Sequence, residues 1–107
     1  MIRDFVKQFV YYLQYKKLKK RVTLLGSHYN VGPRSAVFFK DGSCKTDVII
    51  GDYVDVYGHL YTQSHGKIVI GNYCRIGLNV TIRSVELVSL GNNVVLSEGV
   101  MVPDNNS

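Results

Sequence analysis

Three histidines, two cysteines and a closing run of small polar residues are the groups in this chain whose types could support chemistry. His28, His59 and His65 can each exchange a proton near neutral pH, the property a general base requires. His59 and His65 lie six residues apart in "HLYTQSH", a weak match to metal-ligand spacing. Cys44 and Cys74 fit neither a zinc motif nor a disulfide framework, so the expectation is no metal and a reducing, cytoplasmic setting. The chain closes on "PDNNS", with Asp104, Asn105, Asn106 and Ser107 in succession. It has no Gly-rich phosphate loop of the P-loop or dinucleotide-binding kind.

Which of these groups can meet depends on an internal repeat. "IGDYVDVYGHLYT", "IGNYCRIGLNVTI" and "LGNNVVLSEGVMV" begin at Ile50, Ile70 and Leu90, twenty residues apart. Aliphatic residues recur every sixth position: Ile50 and Val56, then Ile70, Ile76 and Ile82, then Leu90, Leu96 and Val102, with Thr62 as the exception. A weaker copy is Leu25, Val31 and Val37. Val54, Leu60, Cys74, Val80, Val94 and Val100 supply a second inward set, and Val48, Ile68 and Val88 a third. A period of six fits neither a helix nor a long strand; it fits short strands joined by bends at Gly, Asn or Asp. Stacked coils then form columns: Ile50/Ile70/Leu90, Val54/Cys74/Val94 and Asp52/Asn72/Asn92. The predicted fold is an all-β solenoid with coils near 25–49, 50–69, 70–89 and 90–107. His59 and His65 then lie on different faces of one coil and His28 lies further away, so all three read as solvated corner residues. Tyr53 and Tyr73 share a column, which suggests structural stacking.

Ahead of the repeat, Ile2, Phe5, Val6, Phe9, Val10 and Leu13 follow the i, i+3, i+4 pattern of an amphipathic helix. As a cap on the first coil, this helix would bury Phe5, Phe9 and Leu13. As a membrane-surface anchor, it would set its basic residues near anionic lipid. Both hold if the helix outruns the solenoid's end. Residues 1–22 carry seven cations against Asp4, a net +6; the remainder carries six basic and seven acidic groups, a net −1. A neutral body with a basic handle argues against nucleic acid as a partner, and the tyrosines show no base-stacking pattern. The start has charges among its apolar residues and no small-residue cleavage site, so no signal peptide is expected.

"IGDYVD", "IGNYCR", "IGLNVT" and "LGNNVV" resemble the hexapeptide repeat of the left-handed β-helix acyltransferases, over roughly residues 25–107. The pattern is closest to the sugar and polysaccharide O-acetyltransferases. The resemblance implies a left-handed parallel β-helix of about four coils over 23–107, preceded by the amphipathic helix of 1–22. It implies acetyl-coenzyme A as co-substrate, a hydroxyl of a cell-surface saccharide or its precursor as acceptor, and a homotrimer with sites between neighbouring prisms. A catalytic histidine is expected at about the eighteenth position of the coil that starts at Leu90, where this chain has Ser107. "DNNS" resembles the Asp/Asn/Ser run that precedes that histidine, so the histidine is expected directly after Ser107, flanked by Asp104, Asn105, Asn106 and Ser107. Asp104 would orient it or shape the loop. Asn79, one coil earlier, would line the acceptor pocket or serve as a turn residue. Coenzyme-binding residues belong to later coils, so the chain is expected to be an N-terminal portion, inactive alone. The alternatives are a non-catalytic assembly or scaffold module, and a transferase for a nucleotide sugar or an amino acid.

Overall fold

The computed structural model describes residues 2–103. Helix α1 (Ile2–Arg21) comes first. Twelve short strands follow: β1 (Thr23–Leu24), β2 (Tyr29–Val31), β3 (Ala36–Lys40), β4 (Val48–Ile50), β5 (Val54–Val56), β6 (His59–Gln63), β7 (Lys67–Ile70), β8 (Arg75–Ile76), β9 (Thr81–Ser84), β10 (Leu87–Leu90), β11 (Val95–Leu96) and β12 (Met101–Pro103). Every third strand joins the same sheet, giving three parallel sheets in the orders β1-β4-β7-β10, β2-β5-β8-β11 and β3-β6-β9-β12. The chain is therefore a parallel β-solenoid of about four turns with one N-terminal helix.

The register follows the repeat. Ile50 lies opposite Ile70 and Ile70 opposite Leu90, while Val48, Ile68 and Val88 form a second column. Val54 and Cys74 are buried, and Val94 packs half-buried against the same core. These columns carry aliphatic side chains into one continuous core, the main stabilising term for a fold whose coils touch only their neighbours.

The Asp52/Asn72/Asn92 column forms a ladder. The Asp52 N–H donates to Asn72 Oδ1 at 2.8 Å, and the Asn72 N–H donates to Asn92 Oδ1 at 2.8 Å. Asp52 Oδ1 accepts the N–H groups of Ser27, His28 and Tyr53, each at 3.0 Å. The His28 N–H first, and then the other donors, outweigh partial burial and hold this carboxyl at about 2. The neighbouring Tyr53 and Tyr73 adopt left-handed backbone with φ of 57° each. Their rings stack at 5.1 Å, and His28 stacks on Tyr53 at 4.2 Å.

Three details differ from the sequence reading. At the first coil the partner of Ile50 is Leu24; Leu25 is 69% exposed. The expected coil of 25–49 set Leu25 below Ile50, and the observed pairing with Leu24 makes that offset one residue longer. Leu60 lies opposite Ile82, not beside Val80, and Thr62 lies opposite Ser84. The corner between β5 and β6 is thus two residues shorter than that between β8 and β9, while the corner between β6 and β7 is two longer than that between β9 and β10. The two changes cancel in length, which explains the anomaly at Thr62. Gly58 makes the short corner feasible, since a Cβ there would overlap the Val80 carbonyl oxygen.

The third difference concerns α1: its span, Ile2–Arg21, agrees with the helix expected over 1–22, but the face it buries does not. Its run has no Pro or Gly, and Lys19, Lys20 and Arg21 in the last turn favour the negative end of the helix dipole. The cap is its C-terminal half. Leu18 is 4% exposed and Val22 fully buried, both in the solenoid core. Gln14 Nε2 donates to the carbonyls of Gly32 and Pro33 at 3.0 Å, and Arg21 Nη2 to that of Val37 at 2.9 Å. These side chains give hydrogen bonds to carbonyls at the solenoid edge, that of Gly32 also accepting the Ser35 N–H. Phe5 (73%), Phe9 (56%) and Leu13 are exposed. The apolar stripe of the N-terminal half points away from the solenoid, and the buried face is Gln14, Tyr15, Leu18 and Val22.

Candidate functional site

Asp104, Asn105, Asn106 and Ser107, the expected flank of the catalytic histidine, lie outside the described residues. The strand leading to them, β12, pairs with β9 at the open end of the solenoid. Asn79 is exposed at the corner before β9 with φ 60°, in a turn closed by the Val80 N–H on the Gly77 carbonyl. This is the left-handed conformation that asparagine tolerates well.

Beside that corner, an open groove of about 880 Å³ runs between α1 and the β2-β5-β8-β11 sheet. Lys7 and Tyr11 line it from the helix, Arg34 from the first coil, Tyr57 and Arg75 from the next two, and Glu98 from the last. The Arg75 guanidinium lies 5.3 Å from the Tyr57 ring centroid, and Tyr11 meets Tyr57 edge-on at 6.4 Å. Burial, with Asp55 and Tyr11, pushes the Tyr57 phenol up against the opposing pull of Arg75, so it remains a protonated donor. Flat aromatic surface beside three cations and one carboxylate suits a polyhydroxylated or anionic ligand. Leu78 lines this groove; Asn79 does not. Sequence reasoning missed Tyr57 and Arg75 as partners. The available signal was their shared outward face on adjacent coils.

The histidines sit apart: His28 and His65 lie in separate corners, whereas His59, expected at a corner, opens strand β6 and is half-buried. His28 Nδ1 lies 3.1 Å from Asp52 Oδ1, and His59 Nε2 lies 3.0 Å from the Arg34 carbonyl. His65 belongs to the lengthened corner between β6 and β7. The corner below it in the first coil, 41–47, is longer still, so two loops project side by side. The 41–47 loop ends in a 3-10 turn, Lys45–Asp47, whose Asp47 is 1% exposed. Asp47 Oδ1 accepts Lys67 Nζ at 2.6 Å, and Oδ2 accepts the Cys44 N–H at 2.9 Å. His65 Nδ1 lies 3.1 Å from the same Oδ2. Burial pushes the Asp47 carboxyl up, but Lys67, the Cys44 N–H and His65 together bring it down to about 2.

No family model, curated protein or solved structure matches this chain. Among the described residues no helix is long and apolar enough to cross a membrane.

Proposed function

We propose that this chain belongs to an acetyl-coenzyme A-dependent O-acetyltransferase acting on a hydroxyl of a cell-surface saccharide or its precursor. The observation that carries the reading is the twenty-residue register, which stacks hexapeptide segments and their Asp52/Asn72/Asn92 ladder into three parallel sheets. That pattern resembles the hexapeptide acyltransferases, and from them alone come the left hand of the coil and the homotrimer; the cytoplasmic setting rests on the two unpaired cysteines, and its inner membrane face on the basic helix of 1–22. In this reading the groove of Tyr57, Arg75 and Lys7 receives the acceptor saccharide. The acceptor oxygen attacks the thioester carbonyl, a histidine takes its proton, and the coenzyme A thiolate leaves with a proton returned from that base. Positioning of the two substrates supplies much of the remaining acceleration.

The test follows free thiol release from acetyl-coenzyme A in the presence of saccharide acceptors. It uses the chain together with any residues its gene encodes after Ser107. If the gene encodes a histidine after Ser107, turnover is expected with those residues present, lost when that histidine becomes alanine, and weakened through acceptor KM in Arg75→Ala. The 107 residues alone are expected to be silent. Turnover by the short chain with His59 and His65 both replaced refutes the assignment of the base. Light scattering on the longer chain tests the trimer, and a clean monomer at micromolar concentration refutes it.

A second reading, a scaffold module seated on an anionic membrane surface, is favoured by α1. Its outward face carries exposed Phe5, Val6, Phe9 and Leu13 and continues into exposed Lys16, Lys17 and Lys20. Flotation with anionic vesicles tests it: wild-type chain is expected to float and Phe9→Asp to remain in solution.

A further inference from the structure

We propose that Cys44, Asp47 and His65 form a binding site for a borderline-soft divalent metal ion of the zinc type. The site stands apart from the groove and does not rest on the acyltransferase reading. It arises where two successive coils both carry extra residues at the same corner, in the loops 41–47 and 64–66. Neither loop alone has a ligand motif; stacking one coil on the next brings them together.

One ligand atom from each residue lies within 4.8 Å of the others. Tetrahedral zinc, with bonds of about 2.0 Å to N or O and 2.3 Å to S, separates its ligand atoms by roughly 3.3–3.7 Å. The His65 Nδ1 to Asp47 Oδ2 distance of 3.1 Å is already close to this. The Cys44 thiol is exposed and now rests 3.3 Å from Thr46 Oγ1, so a side-chain rotation of about 1 Å can complete the set.

The surroundings hold two of the three ligands in place. Asp47 is fixed by Lys67 on Oδ1 and by the Cys44 N–H on Oδ2. The His65 N–H donates to Ser43 Oγ at 2.9 Å. Ser64 and His65 both have left-handed backbone, with φ of 54° and 62°, which turns the imidazole toward the lower loop. Gly42 leaves room for that ring: a Cβ there would sit 3.0 Å from His65 Nε2.

Without a metal, Lys67 neutralises Asp47. With one, the Cys44 thiol releases a proton to solvent and the His65 proton resides on Nε2; the ion, thiolate, carboxylate and Lys67 together then carry one net positive charge, which favours an anion as the remaining ligand. Lys67 remains on the far oxygen. Three protein ligands leave a fourth position for water or an anion.

The test titrates the reduced, metal-stripped full chain with Co²⁺, followed by the thiolate-to-cobalt charge-transfer band and by Zn²⁺ competition. The expected result is one ion per chain, with affinity at least tenfold weaker in Cys44→Ser and in His65→Gln and unchanged in Cys74→Ser. Far-UV circular dichroism checks that each variant folds. Lys67→Met is expected to bind more tightly, because it removes a cation that competes for the Asp47 carboxylate. Absence of the charge-transfer band, its survival in Cys44→Ser, or unchanged affinity in Lys67→Met overturns the three-ligand site.

Discussion

Replacing Leu18 by alanine tests where the helix cap lies. The Leu18 side chain is almost wholly buried, in the same core as Val22, Val31 and Val37. Leu→Ala at such sites costs about 2–5 kcal/mol, the spread reflecting how far the surroundings collapse into the space left. Here an open hollow lined by Gln14, Arg21, Val31 and Val37 borders the site, so neighbours and water can fill part of it. Alanine is also the better helix former, which removes any helix penalty. The expected loss is therefore near the lower end, about 2–3 kcal/mol, or roughly 8–24 °C in Tm at about 4–8 °C per kcal/mol. Phe9→Asp is the paired control. More than half of Phe9 is already in water, so its replacement is expected to cost less than about 1 kcal/mol, even with the weaker helix propensity of aspartate. Thermal unfolding by circular dichroism, at one fixed protein concentration, measures both; assembly would otherwise make Tm concentration-dependent. An unchanged Tm in Leu18→Ala, or an equal loss in Phe9→Asp, refutes the placement of the cap.

Asp47 and Asp52 both titrate at about 2 in the folded chain against an ordinary 3.8. Their contribution is complete above about pH 4 and is lost as pH falls through about 2, so Tm should drop steeply over that window and less steeply in Asp47→Asn. At neutral pH, Asp47→Asn should itself cost about 1.5–3 kcal/mol, because the Lys67 partnership is charge-assisted. Thr62 Oγ1 is buried with no hydrogen-bond partner among the described residues; Thr62→Val should raise stability by about 1 kcal/mol in urea denaturation. Asn72→Ala removes the acceptor of the Asp52 N–H in the ladder and should cost about 1 kcal/mol, whereas Asn72→Asp, which keeps an acceptor oxygen, should recover most of it.

The sequence by itself determined the solenoid. Ile50, Ile70 and Leu90 recur at one coil length, and residues one coil apart become hydrogen-bonded neighbours, so local spacing translates directly into tertiary register. The Asp52/Asn72/Asn92 ladder and the Tyr53–Tyr73 stack were legible for the same reason. Tertiary structure alone decided which face of α1 is buried. Apolar periodicity reports that a stripe exists, not what covers it, and the solenoid end selected Gln14, Tyr15, Leu18 and Val22 because its exposed carbonyls need donors as well as apolar cover. The exchange of two residues between the corners of the coil from Ile50 left only the break at Thr62 as its trace, since a shortening and a lengthening of equal size leave the twenty-residue period intact. That exchange moves His65 into the longer corner, opposite Asp47 and Cys44 from the coil before. Neither sequence spacing nor motif joins those three residues; only the stacking of one coil on another does.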